Sequence, residues 1–77
     1  MEIKVYGPGC KKCKITEEVV LEAVKETGQA ATVTKVSDLR QIAAAGIMST
    51  PAVSVNGQIK STGKVPTKDE VKAWLND

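Results

Sequence analysis

The order of its local signals predicts that this 77-residue chain forms a single α/β domain (residues 1–77) with a four-stranded mixed sheet and helices on both faces. Near the N-terminus two segments of strand character flank a helical one, which favours a parallel pair of strands joined by a right-handed crossover. Further on, an Asn-Gly dipeptide inside an alternating segment predicts an antiparallel hairpin. The resulting order is βαβαββα, which places the first and third helices on one face and the second on the other.

The first two predicted elements are a strand and a long helix. Residues 3–6 (Ile-Lys-Val-Tyr) are typical of a strand, and the Gly-Pro-Gly of residues 7–9 ends it. Gly28, directly after Thr27, is expected to end the helix by adopting the left-handed conformation. Apolar residues recur between these points at helical spacing: Ile15, Val19, Val20, Ala23 and Val24.

A second strand and a short helix follow. Residues 31–36 contain a β-branched run that favours a strand. Asp38 followed by Gln41 predicts a capping box at the start of the helix, and Ser37 is the other candidate cap. The predicted apolar stripe and the end of this helix are Leu39, Ile42, Ala43 and Gly46.

The C-terminal part predicts a hairpin and a final helix. Residues 53–59 alternate around Asn56-Gly57, the preferred two-residue hairpin turn. Thr67 and Glu70 form a second predicted capping box. The apolar face of the helix that this box opens is expected at Val71, Trp74 and Leu75.

Composition excludes several function classes. The net charge is only +2, and basic residues alternate with acidic ones, unlike the clustered lysines and arginines of a nucleic-acid interface. No apolar run approaches the ~20 residues of a membrane span, and the N-terminus resembles a strand more than a signal peptide. We therefore expect a cytoplasmic protein with neither nucleic acid nor membrane as a partner.

The two cysteines lie in one motif, Cys10-Lys11-Lys12-Cys13, where the first strand gives way to the first helix. The helix dipole and the unpaired N–H groups at that end favour thiolate over thiol. Two thiols one turn apart can close and reopen as a disulfide. We expect Cys10 to be the exposed nucleophile and Cys13 to resolve the mixed disulfide.

Lys11 and Lys12 break a local rule, because the first turn of a helix favours acids by about 0.3–1 kcal/mol per charge. The same cations would stabilise a thiolate at Cys10 and attract acidic partner surfaces. A purely structural staple is the alternative, but closing so short a loop removes little entropy from the unfolded chain. A Cys-His catalytic pair is excluded because the sequence contains no histidine.

At three places the chain resembles small thioredoxin-fold proteins of the redox-active disulfide group, which are related to glutaredoxins. Residues 5–10 (Val-Tyr-Gly-Pro-Gly-Cys) followed by Cys13 resemble the approach to the glutaredoxin active-site helix. Residues 49–51 (Ser-Thr-Pro) resemble the cis-proline loop, and Gly63 resembles the glycine that lines the substrate groove. The resemblance covers nearly the whole chain and implies a minimal thioredoxin-like fold.

The resemblance also implies roles for individual residues. A cis Pro51 would present the backbone of Thr50 to an extended substrate segment, and Gly63 would line the groove. Tyr6 corresponds to an aromatic residue beside glutaredoxin active sites, although a half-buried strand tyrosine is an equal alternative. Met48 is expected to pack beside the site.

The implied function is a thiol–disulfide oxidoreductase that carries electrons from an upstream thioredoxin-reductase-type donor to protein disulfides. It would use no cofactor beyond the Cys10–Cys13 disulfide and no metal. Glutathione is not an expected partner, because Gly63 stands alone where glutathione-binding relatives usually carry Gly-Gly. Lys4 occupies the position where thioredoxins usually carry a buried acid.

Two alternatives remain open from the sequence. A soft-metal carrier also places two thiolates after its first strand, and such a pair suits Cu(I). That family, however, normally has Met where this chain has Pro8, and it ends on a strand where residues 67–75 predict a helix. A non-catalytic module that senses redox state through its dithiol is the second alternative.

Overall fold

The computed structural model describes residues 1–9 and 11–76. Over these residues the elements follow the predicted order βαβαββα. They are β1 (Glu2–Tyr6), α1 (Lys11–Thr27), β2 (Thr32–Val36), α2 (Leu39–Ala44), β3 (Ala52–Val55), β4 (Gln58–Thr62) and α3 (Lys68–Leu75). The predicted α/β class is confirmed.

The four strands form one mixed sheet in the order β2-β1-β3-β4. The pair β1 and β2, which α1 connects, is parallel, whereas β3 runs antiparallel to both β1 and β4. Both the crossover and the hairpin predicted from the sequence are therefore present. Because β1 lies in the centre, its carboxyl end is flanked by β2 on one side and β3 on the other.

Helices cover both faces of the sheet. Successive side chains of a strand point to opposite faces, and in β1 the residues Ile3 and Val5 join one core cluster while Tyr6 joins another. The first cluster lies under α1 and α3 and contains Ile3, Val5, Val20, Ala23, Val53, Val55, Val71 and Leu75. The second lies under α2 and contains Tyr6, Val36, Ile42, Ile47 and Ala52.

Local turn and capping signals act as predicted at three positions. Gly28 has φ +67° after the last residue of α1. Asn56 and Gly57 have φ values of 51° and 85°, the left-handed pair that a type I′ hairpin turn requires. At the start of α3, Thr67 and Glu70 exchange hydrogen bonds between side chain and backbone, each of 3.2 Å.

The cap of α2 differs from its prediction. Asp38 is the N-cap, but its carboxylate accepts a hydrogen bond of 2.8 Å from the backbone N–H of Arg40. The predicted N-cap at Asp38 is confirmed, but the predicted capping box is wrong, because Asp38 bonds to Arg40 and not to Gln41. Gly46 follows the end of the helix with φ +79°.

The apolar stripe predicted for α2 is also wrong. Leu39 is 66% exposed and Ala43 is exposed, whereas Ile42 is buried. A helix of six residues has fewer than two turns, so few of its positions can face the sheet. Ile47, in the segment after the helix, supplies the second buried contact on this face.

The longest described helix, α1, has 17 residues and one buried face. The buried residues recur three or four positions apart: Cys13, Thr16, Val20 and Ala23. Among the described residues, no helix has both the length and the hydropathy needed to cross a membrane.

An ion-pair cluster joins α1 to α3 at the surface. The Glu26 carboxylate accepts hydrogen bonds of 2.6 Å from Lys68 Nζ and 2.7 Å from Lys72 Nζ. Both hydrogen bonds lower the pKa of Glu26, from 4.5 to about 2, and the bond from Lys68 has the larger effect. The Glu26 side chain is 42% exposed, so solvent screens the cluster.

Replacement of Glu26 by Gln should destabilise the fold in a pH-dependent manner. Since the pKa of Glu26 is lower in the folded state, its contribution is fully present above about pH 4.5 and is lost as the pH falls towards about 2. Urea unfolding of the wild type and of Glu26→Gln should therefore give a difference in unfolding free energy that shrinks across this window. Glu18→Gln, which removes an exposed carboxylate from the same helix, is the control, and a difference independent of pH would contradict the assignment.

Candidate active site

The predicted site begins where β1 ends. Tyr6 pairs with Val36 on one side and with Ala52 on the other. The pairing continues for one more residue, because the N–H of Gly7 donates a 2.9 Å hydrogen bond to the Val36 carbonyl. Continuing the antiparallel register by the same step puts Gly7 opposite Pro51.

Cys13 is fully buried in the first turn of α1 and lies directly against Gly7. A Cβ added to Gly7 would overlap Cys13 Sγ and would lie 2.8 Å from Cys13 Cβ, closer than real Cβ atoms approach. From the sequence, Gly7 is predicted to end the strand and belongs to the motif that carries the resemblance, but its contact with the Cys13 sulfur is not predicted. The available signal was a glycine at the carboxyl end of a strand, three residues before the first cysteine.

Pro51 and Gly63 lie together at the end of the sheet where Cys13 contacts Gly7. The Thr50–Pro51 peptide bond is cis, as the resemblance implied. Pro51 is buried, and its carbonyl accepts a 2.9 Å hydrogen bond from the N–H of Gly63. Gly63 has φ +72°, and a Cβ there would approach Ser49 Cβ to 3.1 Å. The fold thus brings the two distant segments to the same end of the sheet as Cys13.

The electrostatic environment of this end is positive. The described first turn of α1, residues 11–14, holds three lysines and no acid. Lys11 and Lys12 are both exposed, so neither is committed to the core. Their charges add to the positive end of the helix dipole.

Tyr6 and Met48 are positioned differently from the other predicted residues. Tyr6 is 8% exposed on the α2 face and lines a cavity of about 380 Å³ with Lys4 and Gln41. It is next to Gly7 in the chain, but its side chain belongs to the core opposite α1. Met48 is 98% exposed, so the prediction that it packs beside the site is wrong.

Cys10 lies outside the residues that the structure describes, and its role as nucleophile stays a prediction. Among the described residues, no group of three or more His, Cys, Asp and Glu side chains is arranged to hold a metal ion.

Comparison with known proteins identifies the family. A family model described as a thioredoxin domain matches residues 1–76. The chain belongs to the thioredoxin domain family. A thioredoxin of Methanothermobacter thermautotrophicus is 40% identical over 76 residues, which is 99% of each chain. A thioredoxin of Methanocaldococcus jannaschii is 40% identical over 73 residues, covering 95% of this chain and 84% of that protein. A probable thioredoxin of Methanothermobacter thermautotrophicus is 33% identical over 81 residues, and the alignment covers 100% of this chain and 94% of that protein.

Membership of the thioredoxin domain family supports a thiol–disulfide oxidoreductase at a general level. It gives no support to the soft-metal carrier or to the redox-sensing module. The C-terminal element, on which the soft-metal alternative predicted a strand, is the helix α3.

Replacement of Gly7 by Ala should destabilise the protein by about 1–3 kcal/mol, because the new methyl group overlaps Cys13 Sγ. The cost should be smaller in a Cys13→Ala background, where the sulfur is absent, and it should not vanish, because the Cβ of residue 13 remains.

Urea unfolding of the four proteins of this double-mutant cycle, under reducing conditions, measures the coupling. Equal costs in both backgrounds would show that Gly7 does not make room for the sulfur.

Proposed function

We propose that this protein is a thiol–disulfide oxidoreductase that passes electrons to disulfide bonds of other proteins through Cys10 and Cys13. The observation that carries the proposal is the position of Cys13. It is buried in the first turn of α1, against Gly7, the residue that the register of β1 and β3 puts opposite Pro51. A cysteine that only filled the core would not require a glycine at position 7 to make room for its sulfur next to the predicted substrate loop.

The proposed reaction has two exchange steps. The Cys10 thiolate attacks one sulfur of a client disulfide, so that a mixed disulfide forms and one client thiolate leaves. Cys13 then attacks the Cys10 sulfur as a thiolate, which releases the second client thiolate and leaves a Cys10–Cys13 disulfide. Two electrons pass to the client, and the two thiol protons pass to solvent or to the client thiolates.

Burial of Cys13 fits the resolving role. A resolving thiol must be inaccessible to outside reagents but within reach of the first cysteine, which Cys13 follows by three residues in the sequence. Cys13 meets the first condition because none of its surface is exposed. The chain positions of the two cysteines meet the second.

The lysines support ionisation of Cys10. Lys11 and Lys12 are exposed and immediately follow it in sequence, and the first described turn of α1 offers no acid to oppose them. Cations next to a thiol and the positive end of a helix both favour the thiolate. We therefore expect the pKa of Cys10 to lie below the ~8.5 of a free thiol.

The segment around Pro51 suits an extended polypeptide as substrate. Pro51 is buried, whereas Thr50 remains partly exposed at the end of the sheet. The Thr50 backbone can then pair with a client segment in the manner of an added strand. Gly63 is exposed and donates its N–H to the Pro51 carbonyl, which supports the proposal that it lines the substrate groove beside Thr50.

The remaining partners follow from this chemistry. Each turnover leaves the protein oxidised, so it requires an upstream donor, which we propose to be of the thioredoxin-reductase type. The disulfide itself is the redox group, and no further cofactor is proposed. A reducing compartment such as the cytoplasm would keep the dithiol available, and glutathione is not proposed as a partner.

A Cys10→Ser variant should lose catalysis of insulin reduction by dithiothreitol, because no thiolate remains to begin the exchange. Insulin precipitation followed by turbidity measures the rate. Cys13→Ser is the companion variant, and it should accumulate a mixed disulfide with insulin that mass spectrometry detects. Catalysis retained by Cys10→Ser, or tight Cu(I) binding by a wild type that does not catalyse reduction, would overturn the proposed function.

Replacement of Lys11 or Lys12 by Glu should raise the pKa of Cys10 by a few tenths of a unit to about one unit each, since the local charge changes from favourable to unfavourable. The pH profile of iodoacetamide alkylation, with the modified peptide identified by mass spectrometry, measures this value. Lys25→Glu makes the same charge change in the last turn of α1 and should leave the profile in place. A wild-type midpoint at or above ~8.5, or no movement in the first-turn variants, would contradict the role of the lysines.

A further inference from the structure

Thr16 is the polar member of the buried face of α1. Among the described residues of this helix, the other buried side chains are the Cys13 thiol and the apolar Val20 and Ala23. Thr16 is fully buried, and its Oγ1 donates a 2.8 Å hydrogen bond to the Lys12 carbonyl. A hydroxyl is thus buried three residues after Cys13, on the same face of the helix.

The bond from Thr16 acts on the backbone of Cys13. The Lys12 carbonyl belongs to the peptide group that joins Lys12 to Cys13, so the hydroxyl holds the peptide plane from which Cys13 starts. In an α-helix the same oxygen also receives the N–H of Thr16. A second donor of this kind tilts the carbonyl and bends the helix locally.

Neither packing nor helix propensity explains a threonine here. Valine has the same shape and a similar helix propensity, and it carries no hydroxyl whose burial must be compensated by a hydrogen bond. What distinguishes threonine is its hydrogen bond to the Lys12 carbonyl.

The same helix contains a matched case far from the site. Thr27 Oγ1 donates a 2.9 Å hydrogen bond to the Ala23 carbonyl, four residues back in the last turn of α1. Both are bonds from a threonine hydroxyl to the carbonyl four residues back, although Thr27 is only partly buried and its Oγ1 also lies 3.2 Å from the Val24 carbonyl. Only the bond from Thr16 acts on a peptide group that belongs to the cysteine motif.

We propose that Thr16 is a positioning residue for the Cys10–Cys13 couple. The inference rests on the proposed function. Gly7 confines the Cys13 sulfur from the side of β1, and the Thr16 hydroxyl fixes the backbone from which the sulfur is presented. Loss of the hydroxyl increases the freedom of Cys13, and the disulfide, whose geometry is specific, becomes harder to close.

The test is the equilibrium of the couple in dithiothreitol redox buffers. In Thr16→Val the equilibrium constant for disulfide formation should fall about fivefold, the equivalent of one ordinary hydrogen bond, which is about 20 mV for a two-electron couple. Thr16→Ser keeps the hydroxyl and should retain the wild-type constant. Thr27→Val loses the same type of bond at the far end of the helix and should also retain it.

Each outcome decides the inference. A wild-type constant in Thr16→Val overturns it, and so does an equal shift in Thr16→Ser or Thr27→Val, which would indicate a general loss of helix stability. Urea unfolding of the reduced proteins verifies that each is folded; if Thr16→Val is not, Thr16→Ala takes its place and must differ from Thr16→Ser. If the wild type forms no Cys10–Cys13 disulfide, the proposed function is overturned together with the inference. If only the expected difference between the Thr16 variants is missing, the inference alone is overturned.

Discussion

The contact between Gly7 and Cys13 is the constraint on which the site depends. The residue that follows β1 must lack a side chain, because the Cys13 sulfur occupies the space that a Cβ would fill. The same residue continues the pairing with β2 through its N–H. One glycine therefore joins the sheet to the first turn of α1 and sets how closely the helix approaches the strand. A protein interior is close-packed, so a displacement of even one methyl group at such a junction is transmitted to its neighbours.

The rest of the fold holds this junction from both sides. On one face α1 and α3 pack on β1 and β3 through a continuous aliphatic cluster, with the Glu26 ion pairs at its outer edge. On the other face α2 covers the carboxyl end of β1 through Ile42 and Ile47. The cis-proline segment enters β3 directly after that second cluster, so the loop lies against the end of the sheet that carries Cys13. The site is built where three well-packed segments meet, which limits the freedom of its side chains.

Charge and buried polarity are distributed around the junction in a consistent way. Cations lie on the exposed side of the first turn of α1, where they can act on a thiolate, while the buried side carries the Cys13 thiol and the Thr16 hydroxyl. The acids of α1 begin at Glu17, in the turn after the lysines, and Glu26 and Glu70 are engaged at α3. The described first turn of α1 thus contains no acidic residue, although an acid there would stabilise the start of the helix. Local rules are commonly broken in this way at functional sites.

The sequence by itself determined the order of the elements, the hairpin turn at Asn56-Gly57 and the cap at Thr67, because each depends on residues within three or four positions of one another. The family resemblance, which is carried by contiguous motifs, indicated the cis bond before Pro51, and the Cys10–Cys13 dithiol stays a prediction from the same motifs. Only the tertiary structure decided which side chains of α2 are buried and that Tyr6 belongs to the core under α2. It alone showed that Gly7 seats Cys13 and that Gly63 bonds to Pro51. These contacts follow from strand register and from the depth at which a helix packs on the sheet, and both are set by the packing of the whole domain and not by any local stretch of sequence.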